Sequence, residues 1–176
     1  MQKPVIYRKV GLVGPESVGK STLALQLARH FGGTVVSEYA RDYVASLARN
    51  YNYADVCHIA EQNVKEASSY HLMQAPVFFD TELIITKVWL QEVFHRCPDW
   101  LTTPIPDSCM MDYYLLLSPD LPWQSDSVRE NGSEERRQQL FELYLNEIIQ
   151  TNRPYSVISG TDEQRLYNAV KALSGE

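Results

Sequence analysis

Residues 14–21 read Gly14-Pro15-Glu16-Ser17-Val18-Gly19-Lys20-Ser21, preceded by Tyr7 to Val13, which reads as a buried strand, and followed by strong helix formers from Lys20 to His30. Gly14 and Gly19 permit backbone angles and a closeness of approach that a Cβ denies, so successive N–H groups can turn inward toward an anion. A helix starting near Lys20 brings the positive end of its dipole to the same point. The segment matches GxxxxGK[ST] at every fixed position, in the strand, loop and helix setting that pattern requires. Lys20 supplies a full positive charge for β and γ phosphates, and the Ser21 hydroxyl can complete a Mg²⁺ coordination shell. Gly14 to Thr22 is therefore read as a site for ATP with Mg²⁺.

The rest of the chain continues the alternation this start implies. Strands are expected at Thr34 to Ser37, Val77 to Asp80, Tyr113 to Leu117 and Tyr155 to Ser159. Helices are expected from Tyr39 to about Arg49, Ala54 to Met73, Glu82 to His95, Ser133 onward with the stripe Leu140, Tyr144, Leu145, Ile148 and Ile149, and Thr161 to Leu173. Pro98 to Ser108, with three prolines, reads as a surface connection, and about 118–133 as a long lid loop. Five strands alternating with helices argue for a mostly parallel sheet covered on both faces. A length of 176 residues suits a single domain, 1–176, with one core.

Composition narrows the partners. A net charge of −6 leaves no broad basic surface for nucleic acid. No apolar run approaches the roughly 20 residues that span a bilayer, and Met1 to Val10 lacks a signal-peptide core, so a cytoplasmic location without membrane contact is expected. Cys57, Cys97 and Cys109 form no CxxC pair and are expected to pack rather than to hold metal.

In doubly wound sheets, ligands sit beyond the carboxyl ends of the strands. Polar groups stand at every such end: the phosphate loop, Glu38-Tyr39-Ala40-Arg41-Asp42, Asp80-Thr81-Glu82, Ser118-Pro119-Asp120 and Ser159-Gly160-Thr161. Asp80, ending the run Val77-Phe78-Phe79, has the placement of the carboxylate that holds Mg²⁺ in P-loop enzymes, though such a residue can also cap the next helix. Two catalytic roles fit Glu38, accepting the proton of an attacking hydroxyl or holding ribose hydroxyls, beside the plainer one of pairing with Arg41 at the surface. Arg129 is the candidate to close over the γ phosphate, with Arg136 and Arg137 as its substitutes and with Arg137 otherwise a solvated flank against Glu134 and Glu135. Trp123 either packs the lid or stacks on a ring.

The stretches GPESVGKST (Gly14 to Thr22), SEYARDYV (Ser37 to Val44), FFDTELIITKVW (Phe78 to Trp89) and YYLLLSPDLPWQSDSVRENG (Tyr113 to Gly132) make nearly the whole chain resemble the ribosylnicotinamide kinase domain at the carboxyl end of bifunctional NadR proteins. That resemblance implies a three-layer α/β/α sandwich of the P-loop NTPase type, similar to nucleoside monophosphate kinases, with five parallel strands in the order 2-3-1-4-5. It implies transfer of the γ phosphate of ATP to the ribose 5′-hydroxyl of nicotinamide riboside, a small-molecule nucleoside, giving nicotinamide mononucleotide. Lys20 and Ser21 would bind ATP and Mg²⁺, Asp80 would lie near metal and hydroxyl, Arg129 would belong to the lid, and Glu38, Tyr39 and Arg41 would face the nucleoside. The chain has no room for an adenylyltransferase or DNA-binding domain, so the kinase step alone is expected. Ser37 stands where some members carry tryptophan, which leaves Tyr39, Trp89 or Trp123 to stack on the pyridine ring. The alternatives are another nucleoside or small metabolite as acceptor, or a regulatory ATPase acting with a protein partner.

Overall fold

All five strands run parallel, because each is followed by a helix long enough to carry the chain back across the sheet. The computed structural model describes residues 7–122 and 133–175. Its strands are β1 (Lys9–Val13), β2 (Thr34–Val36), β3 (Val77–Asp80), β4 (Tyr113–Leu117) and β5 (Tyr155–Ile158), in the order β2-β3-β1-β4-β5. The expected 2-3-1-4-5 order is thus the observed one. The helices are α1 (Lys20–Phe31), α2 (Tyr39–Ser46), α3 (Tyr53–Ser69), α4 (Leu83–Phe94), α5 (Asp99–Thr102), α6 (Glu134–Gln150) and α7 (Asp162–Ser174).

Alternation along the strands divides the core in two. Val10 and Leu12 of β1, Phe78 of β3, and Leu115 and Leu117 of β4 pack beneath α1 and α7 against Leu23, Leu27, Ala169 and Leu173. Val13, Phe79, Tyr114 and Leu116 point the other way, toward Ile84, Val88, Leu140, Tyr144 and Ile148 of α4 and α6. A third cluster, built by Val56, Ala60, Leu83, Leu90 and Leu101 with Cys57 and Cys97 packed against it, joins α3 to α4 beside the sheet.

The differences from the expected boundaries have local causes. The helix expected to reach Arg49 stops at Ser46 because Leu47 turns extended, with φ −72° and ψ 134°. The next one ends at Ser69 rather than Met73, and Asn52 and Asp55 form a capping box at its start. The Pro98 to Ser108 connection is not wholly irregular: it holds α5 and a 3₁₀ turn at Asp107–Cys109, and it buries Leu101. Ser133 does cap α6, accepting a hydrogen bond from Arg136 N at 3.1 Å. Most of the expected lid, including Trp123 and Arg129, lies outside the described residues.

Candidate active site

The first strand delivers the loop to the carboxyl edge of the sheet between its two neighbours. Gly14 takes φ +154°, and a Cβ there would stand 2.9 Å from Leu117 O of the adjacent strand. Gly19, at φ +78° and ψ 26°, is the left-handed residue that starts α1. Lys20 Nζ donates to Gly14 O at 2.8 Å and to Pro15 O at 2.9 Å, so the ammonium lies across the turn it must serve. The loop's later carbonyl also has a donor: Val18 O accepts from Arg165 Nη1 at 2.6 Å.

One strand away, Asp80 sits opposite Leu12 in the register and is buried. Its Oδ1 has no hydrogen-bond partner among the described residues. A buried carboxylate oxygen without a donor is costly, and a cation beside it removes that cost. Asp80 and Ser21 offer only oxygens, the ligand set that suits Mg²⁺. The neighbouring Thr81 takes φ +76°, and its buried Oγ1 is likewise unpartnered among the described residues. For a β-branched residue that conformation costs about 1–3 kcal/mol, and such strain gathers at functional sites.

Glu82, read from sequence as part of the same polar strand end, turns away from the site. It caps α4 by accepting from Ile84 N at 2.9 Å and packs under the sheet, where a Cβ on Gly11 would meet its Cγ at 3.1 Å. Burial pushes its carboxyl up to about 8, so it is neutral at pH 7.

A cavity of about 1360 Å³ is lined by the phosphate loop, by Glu38 and Arg41, and by a wall made of Tyr51, Trp89 and Phe94. Glu38 precedes α2, and its carboxylate accepts from Arg41 Nε at 3.4 Å while both residues face the cavity. Tyr39 is engaged elsewhere: its hydroxyl lies 2.9 Å from His58 Nε2 and its ring stacks on Tyr43 at 5.7 Å. Trp89 lines the cavity, edge-on to Tyr51 at 4.8 Å, with its indole N–H donating to the Tyr51 hydroxyl at 3.3 Å.

Tyr51 belongs to the 47–52 connection, which Asp55 holds in place. The buried Asp55 carboxylate accepts from Arg49 at 2.6 and 2.9 Å, from Asn52 N at 2.8 Å and from the Tyr43 hydroxyl at 3.1 Å. These donors, the Arg49 guanidinium foremost, hold the carboxyl well below the usual range.

Three further arginines lie on the cavity or next to its lining. Arg136 lines the cavity and donates to Glu92 Oε2 at 2.9 Å. Arg137 is not a solvated flank: it is buried and donates to Leu121 O at 2.8 Å, because its place on α6 falls on the inward stripe with Leu140, Tyr144 and Ile148. Arg165 was not singled out from sequence at all, yet it is 4% exposed and reaches three strand ends. Both left a trace that could have been followed: a charged residue at a core position of an amphipathic helix, since Arg165 shares its face with Ala169 and Leu173.

A glycine-cornered loop between β1 and α1, a lysine folded across it and a carboxylate at the end of the next strand define a P-loop nucleotide-binding domain. A family model described as "AAA domain" matches residues 9–165, and the chain belongs to that family. It is also similar to the trifunctional NAD biosynthesis/regulator protein NadR, at 30% identity for Salmonella typhimurium and 32% for Escherichia coli, over 99% of this chain. The chain spans 44% of the length of each. Among solved structures, NadR in complex with NR aligns at TM-score 0.76 and 21% identity, and NadR with NAD and AMP-PNP at 0.72 and 20%. Each alignment covers 96% of this chain and 50% of the other. A deoxyadenosine kinase from M. mycoides aligns at 0.64 and 14% identity, covering 96% of this chain and all of that one. These likenesses show a fold shared with nucleoside kinases.

Proposed function

We propose that this chain is an ATP-dependent phosphotransferase that moves the γ phosphoryl of ATP to the ribose 5′-hydroxyl of nicotinamide riboside. The observation that carries the proposal is one cavity lined by a phosphate loop, an aromatic wall, a carboxylate and an arginine. The similarity to NadR and the shared fold of its complex with NR support the choice of acceptor. The wall adds a physical reason: the pyridinium of nicotinamide riboside is cationic, and an aromatic face attracts it by about 0.5–2 kcal/mol.

In this reading the backbone N–H groups of Gly14 and of residues 16–19, with the ammonium of Lys20, hold the β and γ phosphates and stabilise charge as it moves toward the leaving ADP. Ser21 and Asp80 would hold Mg²⁺, which would neutralise phosphate charge. The acceptor oxygen forms its bond to γ phosphorus as the bond to the bridging oxygen of ADP breaks. Its proton passes to a carboxylate, Glu38 or Asp80. Glu38 and Arg41 orient the ribose, and Trp89 with Tyr51 positions the base. Arg136, which lines the same cavity, is the described arginine available to neutralise charge on the γ phosphate.

The deoxyadenosine kinase neighbour favours a second reading, a kinase for another nucleoside. ADP release measured against a panel of nucleosides separates the two. Nicotinamide riboside is expected to give the highest kcat/KM, with nicotinamide mononucleotide found by mass spectrometry; no stimulation by it, with turnover of deoxyadenosine or another nucleoside, overturns the first reading.

A further inference from the structure

We propose that Arg165, set in place by Asp120, is a positioning residue for the triphosphate site, fixing the Val18–Gly19 peptide so that the Gly19 N–H faces the phosphates. The inference rests on the phosphate loop binding a nucleotide, and not on which acceptor is used.

The side chain of Arg165 is buried, and its hydrogen bonds go to the ends of three strands. Nη1 donates to Val18 O at 2.6 Å, Nε to Gly160 O at 2.7 Å, and Nη2 to Ser118 O at 3.4 Å and to Asp120 Oδ1. One planar guanidinium therefore ties the loop after β1 to the loops after β4 and β5.

In a trans peptide the carbonyl and the following N–H point in opposite directions, and the described chain contains no cis bond. Holding Val18 O against Arg165 thus turns the Gly19 N–H to the far side, into the concave face of the loop. A cation on the carbonyl also polarises the amide and makes its N–H a better donor.

Asp120 performs the matching task. Its Oδ1 accepts from Arg165, and its Oδ2 accepts from Gly160 N at 2.7 Å. Gly160, at φ +97°, is thereby held through its N–H by Asp120 and through its carbonyl by Arg165. The next two residues, Thr161 and Asp162, line the cavity. The clamp keeps this edge at a set distance from the phosphate loop.

Helix stability does not explain the arrangement. Arg165 lies in the first turn of α7, where the dipole disfavours a positive charge.

The test is calorimetric titration of the full chain with a magnesium-loaded non-hydrolysable ATP analogue, together with KM values for ATP and acceptor, in Arg165→Met, Arg165→Lys and Asp120→Asn. Arg165→Met should weaken analogue binding by about 10- to 100-fold, the scale of a charge-assisted hydrogen bond. It should raise the ATP KM in parallel and leave the acceptor KM within about twofold. Arg165→Lys should fall between, because an ammonium lacks the planar fork, and Asp120→Asn should cost about three- to tenfold. If Arg165→Met does not fold, the other two variants carry the test. Wild-type affinity for the analogue in the folded variants, with only the melting temperature lowered, overturns the proposal. No binding by the unmodified chain overturns instead the reading of the phosphate loop.

Discussion

The two ends of the cavity are built in different ways. The nucleotide end is made of backbone: N–H groups of Gly14 and of residues 16–19, locked by Lys20 and Arg165 through carbonyls of the same loop. The end that the proposal gives to the acceptor is made of side chains from separate elements, Glu38 and Arg41 from the start of α2, Tyr51 from the 47–52 connection, Trp89 and Phe94 from α4. Backbone geometry is written in a short contiguous motif, whereas an end assembled from three elements has no local signature. Changes at the first end should therefore abolish chemistry, and changes at the second should retune which molecule is accepted.

The largest expected effect is at the backbone end. Lys20→Ala should lower kcat by at least about 10², the scale of losing one well-placed charge stabiliser, and a near-normal rate would contradict the assignment. Asp80→Asn should cost a comparable factor in rate and raise the Mg²⁺ concentration needed for half-maximal turnover. Because Asp80 Oδ1 is buried without a donor among the described residues, the same change should not lower the melting temperature. A large loss of stability with an unchanged magnesium requirement would make the residue structural.

At the side-chain end, Trp89→Ala should raise the acceptor KM by about tenfold while the ATP KM stays put, as expected for loss of an aromatic face against a cation. Equal changes in both would erase the division drawn here.

The smallest effects are on pH dependence, and the two buried carboxyls should move in opposite directions. Asp55 has a depressed folded value, so its network stabilises the fold above about pH 4 and loses that contribution as the pH falls further. Asp55→Asn should lower the melting temperature at pH 7, with the deficit shrinking below pH 4. Glu82 has a folded value raised to about 8, so the unfolded chain releases its proton first and wild-type stability declines between about pH 4.5 and 8. Glu82→Gln should flatten that decline, and an unchanged pH profile of the melting temperature would contradict the burial argument.

Much of this could be read in the sequence, and the rest fails for physical reasons. Val77–Asp80 and Tyr113–Leu117 are legible to the residue because a central parallel strand is buried on both faces and reads as an unbroken apolar run. Helix ends are less so: Arg49 is a good helix former, but its bonds to Asp55 stabilise an extended connection instead. Arg137 and Arg165 escape notice because a lone arginine is solvated far more often than buried, and only its position on the core stripe marks the exception. The aromatic wall is hidden because Tyr51 and Trp89 stand far apart in the chain, whereas Tyr39, next to Glu38, turns toward α3.

The most direct test of the central claim is to follow the phosphoryl group itself. With ATP carrying a heavy-oxygen label on its γ phosphate and nicotinamide riboside as acceptor, mass spectrometry should find the label in the 5′-phosphate of nicotinamide mononucleotide. Label appearing only in inorganic phosphate, at the same rate with and without a nucleoside, would contradict it.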